Sequence, residues 1–238
     1  MEPKERIIVA LDVDSLAKAT PYIEALAPHV GYFKVGLELL MAVGATQVVQ
    51  HVHRLGGHLF VDGKFNDIPN TVAGAARVIS SLGVKMFNVH ASAGIPAIRA
   101  AAENKGHSWL LAVAVLTSLE DADVQRIFGA SAADKTKQFA KDALEAGADG
   151  IVCSAQELEW LSGDETLKDF KRVTPGIRPS WAEANDQKRT LTPGEAIKAG
   201  ATHLVIGRPI TNPPRGIGNP LDAIARITEE IAGASPSA

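Results

Sequence analysis

The chain has 238 residues, 46% hydrophobic and 21% charged, with 21 Gly, 13 Pro and a formal net charge of −3. That composition excludes a disordered or collagen-like chain, and the length suits two small domains or one α/β barrel. Twenty-four basic against 27 acidic residues, with no like-charge block, offer no basic face to nucleic acid or an anionic membrane. A single Cys cannot close an internal disulfide, which fits a reducing cytoplasm. The charged opening, Met1 to Arg6, does not read as a signal peptide. The longest strictly apolar run, Leu110 to Leu116, is far short of a membrane span. The expectation is a cytoplasmic globular protein.

A short apolar run recurs along the chain, each followed by a helical pattern. The first half reads as strand Ile7–Asp12, helix Ser15–Ala27, strand Tyr32–Val35, helix Ala45–Leu55, strand His58–Asp62 and helix Thr71–Leu82. Strand Met86–His90, helix Ile95–Asn104, strand Trp109–Leu116 and helix Ala132–Ala146 follow. The chain closes with strand Gly150–Cys153, helix Ala155–Leu161, strand Lys171–Thr174, helix Gly194–Ala199, strand His203–Gly207 and helix Pro220–Ala232. Several strands are near-continuous Val, Ile, Leu and Phe, as in parallel strands covered on both faces. Gly56, Gly83, Gly106, Gly147 and Gly200 stand where helices stop, suited to the left-handed closing residue. Alternating elements of about 30 residues per unit match one βαβ repeat, so a single (β/α)8 barrel domain over 1–238 is predicted. An open doubly wound sheet is the competitor. The tail, Gly233 to Ala238, is expected to fray.

Functional residues of such a barrel lie at the C-terminal ends of its strands. Those ends supply Asp12, Lys34, Asp62 with Lys64, His90, Thr117 with Ser118, Ser154, Pro175 to Arg178, and Gly207 with Arg208. In Asp62-Gly63-Lys64-Phe65-Asn66-Asp67, strand alternation puts Asp62 and Lys64 on one side, with Cα atoms roughly 6–7 Å apart. A carboxylate can hold that ammonium charged and aimed as a proton donor; a salt-bridge cluster at the barrel mouth is the bland reading. Lys34 adds a cation at the same level, and buried ion pairs are a poor route to stability. Asp67 lies too far along its loop to turn back beside Asp62, so it is a solvated acid or one pointed elsewhere. Gly207-Arg208 after the last strand suits a phosphate, although a Gly-Arg pair is commonly just a turn. The loop 175–193, about 19 residues, has the length and composition of a lid. Phosphate-loop, dinucleotide and nucleophile-elbow motifs are missing. His51 and His53 do not share a helix face, and Cys153 reads as a small buried hydrophobe.

Further pieces then join these: Ala10-Leu11-Asp12, Phe33-Lys34-Val35-Gly36, Asp62 to Val72 (D-G-K-F-N-D-I-P-N-T-V), Leu116-Thr117-Ser118, Thr174 to Pro179 (T-P-G-I-R-P), Gln187 with Arg189, and Gly207 to Thr211 (G-R-P-I-T). Together they resemble the orotidine 5′-monophosphate decarboxylase family of the bacterial type over essentially the full chain. Gly63 stands where that family more often has an apolar residue, and Asn66 where it often has His. The stretch after Thr211, N-P-P-R-G-I-G-N-P, is longer than usual.

The resemblance implies a barrel acting as a homodimer with shared active sites, decarboxylating orotidine 5′-monophosphate to uridine 5′-monophosphate with no metal and no cofactor. It implies that Asp12 and Lys34 hold the ribose, Asp62 faces the departing carboxylate and Lys64 protonates C6. Asp67, Ile68 and Thr71 would enter the neighbouring subunit's site, and Thr117 would lie at the pyrimidine. Arg178 and Gln187 would close over a phosphate bound by Gly207 and Arg208. The alternatives are a magnesium-dependent decarboxylase or aldolase of keto-sugar phosphates, also built on D-x-K-x-x-D, and a non-catalytic nucleotide-phosphate binder.

Overall fold

The computed structural model describes residues 1–182 and 190–234; Gln187 and Arg189, the middle of the predicted lid over 175–193, and the end of the predicted frayed tail lie outside them. Eight parallel strands close into a barrel in sequence order: β1 (Ile7–Leu11), β2 (Tyr32–Val35), β3 (Leu59–Phe65), β4 (Met86–His90), β5 (Trp109–Val113), β6 (Gly150–Val152), β7 (Lys171–Thr174) and β8 (His203–Ile206). Pairing of Ile7, Ile8 and Val9 with Leu204, Val205 and Ile206 closes the ring. The helices, in chain order, are α1 (Leu16–Leu26), α2 (Leu37–Val43), α3 (Ala45–Arg54), α4 (Pro69–Ser81), α5 (Ile95–Glu103), α6 (Asp121–Phe128), α7 (Ala132–Glu145), α8 (Leu158–Gly163), α9 (Pro193–Lys198), α10 (Arg208–Thr211) and α11 (Pro220–Ala232).

Alternation along each strand builds two cores. Ile8 and Ala10 point into the barrel with Phe60, Met86, Leu111, Val173 and Val205. Ile7, Val9 and Leu11 point outward, into the layer shared with the helices. Both faces are dry, which is why β1 is apolar throughout. Each fully buried Ile, Leu or Phe contributes about 1.5–3 kcal/mol. The five expected closing glycines all take positive φ, with Gly147 at 85° and Gly200 at 106° in the repeated Ala-Gly-Ala phrase.

Element boundaries differ from expectation in three places. The fifth strand stops at Val113 rather than Leu116, because its ladder partners end at His90 and Val152; the rest of the apolar run turns over the barrel mouth. The third strand continues past Asp62 to Phe65, with an irregularity against β4. The predicted helix from Ala155 opens with a 3-10 turn, Ala155–Glu157, before α8. Helices α2, α6 and α10 were not predicted.

Candidate active site

The strand period places the site. Lys34 lies two residues beyond the interior-facing Tyr32, Asp62 two beyond Phe60 and Asp12 two beyond Ala10, so all three project above the interior apolar layer. They meet Lys64 there. The Lys34 ammonium donates to Asp12 Oδ1 at 3.1 Å and lies 3.4 Å from Asp62 Oδ2, while the Lys64 ammonium donates to Asp62 Oδ1. A side chain at Gly36 would put its Cβ 3.3 Å from Lys34 Nζ, so glycine leaves the ammonium room. Burial pushes the Asp62 carboxyl up, but Lys34, Lys64 and the Asn88 amide outweigh it and hold the group below the ordinary carboxylate value.

Asp62 and Lys64 face the same side, as alternation predicts, but not through a regular strand. Val61 pairs with Phe87 and Phe65 with Val89, so Asp62, Gly63 and Lys64 bulge opposite the single residue Asn88. Lys64 takes a left-handed backbone at φ 53°, the one non-glycine residue with positive φ among the described residues. That conformation costs about 1–2 kcal/mol for a residue with a side chain. Asn88, fully buried, braces it: its amide oxygen accepts from Lys64 N at 2.8 Å and its amide nitrogen donates to Asp62 Oδ1 at 2.6 Å. Sequence reading missed Asn88. Its signal was there, a polar residue in the otherwise apolar run Met86-Phe87-Asn88-Val89. The Gly63 departure has a local reason, since a Cβ there would stand 2.9 Å from the Phe65 ring, which packs on Phe87.

Three of the four charged residues border a cavity of about 160 Å³. Lys34, Asp62 and Lys64 form its charged wall; Thr117, Cys153 and Pro175 border it from later strand ends, above Phe60 and Val205. Thr117 borders this cavity, whereas exposed Ser118 does not. Cys153 is buried, and burial pushes its thiol far up, so it behaves as the predicted small hydrophobe. His90 is half-buried at the end of β4; burial, then the Lys64 charge, push its imidazole down.

Gly207 and Arg208 leave β8 beside Asp12, where a Cβ on Gly207 would lie 3.8 Å from Asp12 Oδ2. Arg178 is buried after β7; its Nη1 donates to Ile177 O at 2.9 Å, and its Nε has no partner among the described residues. Burial, then the Arg208 charge, lower the Arg178 pKa. Two guanidiniums that oppose one another, one with an unspent donor, make a place for an anion. Asp67, Ile68 and Thr71 do not join the quartet. They are exposed, and the Asp67 carboxylate accepts from Ile68 N at 2.7 Å. His51 bonds Thr20 Oγ1 at 2.8 Å, a structural contact. No cluster of three or more His, Cys, Asp or Glu among the described residues suits a metal ion, and no helix among them is long and apolar enough to cross a membrane.

With this geometry in place, three comparisons bear on it. The family model described as "Orotidine 5'-phosphate decarboxylase / HUMPS family" matches residues 5–218. The orotidine 5′-phosphate decarboxylase of Syntrophomonas wolfei subsp. wolfei is 44% identical, with 97% of this chain and 99% of that protein covered. The Moorella thermoacetica enzyme of the same name is 43% identical, with 97% and 94% covered. Among solved structures, orotidine 5′-phosphate decarboxylase from Lactobacillus acidophilus superimposes with a TM-score of 0.81 at 34% identity, covering 94% of this chain and 98% of that one. A Pyrococcus horikoshii structure, at 24% identity and TM-score 0.77 over 95% and 99%, shares the fold.

Proposed function

The chain belongs to the orotidine 5′-phosphate decarboxylase / HUMPS family, and from that premise we propose that it is a carboxy-lyase converting orotidine 5′-monophosphate to uridine 5′-monophosphate in pyrimidine synthesis. The observation that carries the reading is the Lys64 ammonium held by Asp62 at the wall of a small cavity with an apolar floor. Cleavage of the C6–carboxyl bond leaves its electron pair on C6, where the ring delocalises it poorly. Lys64 stabilises that pair first as a fixed cation and then supplies its proton, forming the C6–H bond and becoming neutral. Asp62 faces the leaving carboxylate, so loss of carbon dioxide relieves a repulsion.

Asp12 and Lys34 hold the ribose and Thr117 meets the pyrimidine. Gly207 and Arg208 bind the phosphate, with Arg178 and Gln187 closing over it; the unspent Arg178 donor supports that role. Binding energy gathered at the phosphate holds the closed site together for the difficult step. The reaction is written without metal or organic cofactor, supported by the occupation of both Asp62 oxygens by lysine ammoniums.

A homodimer with shared sites completes the reading. Leu37 and Met41 on α2, Ile68 before α4 and Val78 on α4 are 52–78% exposed, an apolar surface on neighbouring units that a second copy would cover. Asp67, outside its own site, lies in that region together with Thr71, so both are assigned to the partner's site. The reaction run in D2O tests the chemistry: uridine 5′-monophosphate with one deuterium at C6, and one carbon dioxide per turnover, is the expected product. Unchanged orotidine 5′-monophosphate would refute it.

A further inference from the structure

We infer that Asn88 is a positioning residue for the reaction: it holds Lys64 in its left-handed backbone and fixes the Asp62 carboxylate, and so sets where the ammonium points. The inference rests on the decarboxylase reading. In a regular parallel pair, the backbone of β4 would satisfy the N–H groups of β3. The bulge between Val61 and Phe65 breaks that ladder, and the Asn88 side chain supplies the acceptor for Lys64 N at 2.8 Å. A backbone N–H can only donate, so the atom facing Lys64 is the amide oxygen. The amide nitrogen is thereby committed to Asp62 Oδ1 at 2.6 Å.

One rigid, fully buried amide therefore reads out two catalytic groups at once. Neither isosteric nor small replacements can do both. Aspartate keeps the acceptor for Lys64 N but sets a second negative charge against Asp62. Alanine removes both contacts and leaves the left-handed Lys64 unbraced. Asp62 is faced by Lys34 from β2, Lys64 from its own strand and Asn88 from β4, with His90 nearby on β4 and Asp12 beyond Lys34 on β1.

The experiment compares Asn88→Ala and Asn88→Asp with the wild-type protein. Asn88→Ala is expected to lower kcat about a hundredfold, the scale of an ångström-sized misplacement of a catalytic group, with KM and uridine 5′-monophosphate affinity changed less than threefold. Asn88→Asp is expected to retain more kcat and to move the acidic limb of the pH–rate profile upward, because the added charge raises the Asp62 pKa. A kcat within twofold of wild type in Asn88→Ala overturns the inference. So does an equal loss of nucleotide affinity, which marks general disruption, or an unmoved acidic limb in Asn88→Asp. A wild-type protein inactive on orotidine 5′-monophosphate instead refutes the decarboxylase reading itself.

A second observation carries a separate inference, also resting on the phosphate reading. A cavity of about 340 Å³ opens beside Arg208, bordered by Asn212, Pro213, Pro214 and Arg215 and by Ala182 from the opposite loop. No carboxylate among the described residues borders it. The two prolines fix the backbone ahead of Arg215, and buried Ile217, with its N–H on Pro214 O at 2.9 Å, pins the turn that follows. The structure assigns Arg215, in the long stretch after Thr211, as a third guanidinium, beyond Arg178 and Arg208, that draws a phosphate monoester from the outer side.

Calorimetry with uridine 5′-monophosphate and with inorganic phosphate tests it. Arg215→Ala is expected to weaken both about tenfold, the low end for a hydrogen bond to a charged group, and Arg215→Lys to restore part of the loss. Affinities for both within twofold of wild type would overturn the assignment. This binding readout stands whether or not turnover is seen, so it fails separately from the decarboxylase reading.

Discussion

The foot of the barrel makes a quantitative prediction about acid stability. His203 is 1% exposed, with Tyr32 and Trp109 at ring-centroid distances of 5.8 Å and 5.6 Å. Its Nδ1 lies 2.9 Å from Thr202 Oγ1, whose own proton goes to Arg172 O at 3.0 Å. Nδ1 therefore carries the ring proton, and the buried Nε2 has no partner among the described residues. Burial, then the charges of Arg6 and Lys171, push the imidazole from 6.5 down to about 4. The unfolded chain binds this proton as pH falls through 6.5, whereas the folded one resists until about 4, so stability is lost across that window. At 1.36 kcal/mol per pH unit the loss is about 3 kcal/mol by pH 4. Denaturant unfolding of wild type and His203→Phe at steps between pH 7 and pH 4 measures it, since groups titrating equally in both cancel in the difference. The wild type is expected to lose about 3 kcal/mol more than the variant. Parallel stability curves would refute a neutral, unsolvated His203.

Other outcomes follow from the upper end of the barrel. Lys64→Ala is expected to abolish turnover while retaining affinity for uridine 5′-monophosphate, because ribose and phosphate contacts are elsewhere; near-normal kcat would remove Lys64 as proton donor. Arg208→Ala is expected to raise KM strongly through loss of a bidentate phosphate contact, and an unchanged KM would contradict that role. Mixing inactive Lys64→Ala and Asp67→Ala subunits in equal amounts should return about a quarter of full activity, since half the dimers are mixed and half their sites are intact. A mixture that stays inactive after demonstrated subunit exchange would place Asp67 in its own subunit's site.

The barrel was legible because most strands are apolar runs set off by helical patterns, and closing glycines mark the ends of units. Helix α2 escaped notice because seven mostly apolar residues between Gly36 and Gly44 are too few to show a helical period. Helix α6 did so because its eight residues bury only Val124 and half of them, Asp121, Asp123, Gln125 and Arg126, are polar. The meeting of Asp12, Lys34 and Asp62 could be anticipated from strand parity alone. The bulge that turns Lys64 could not, because it is set by what β4 offers across the ladder, a long-range fact carried by Asn88. The buried, donor-rich setting of Arg178 was likewise invisible, since loop residues give no periodic signal of burial.

The central claim is decarboxylation by the protein's own lysine, without a metal. The most direct measurement is therefore the absorbance change of orotidine 5′-monophosphate on incubation with protein exhaustively treated with EDTA, alongside a magnesium-supplemented sample. The account predicts equal conversion to uridine 5′-monophosphate in both, with Lys34 and Lys64 already filling the oxygens of Asp62. Activity lost on chelation and restored by magnesium would contradict it and move the chain to the metal-dependent chemistry of keto-sugar phosphates.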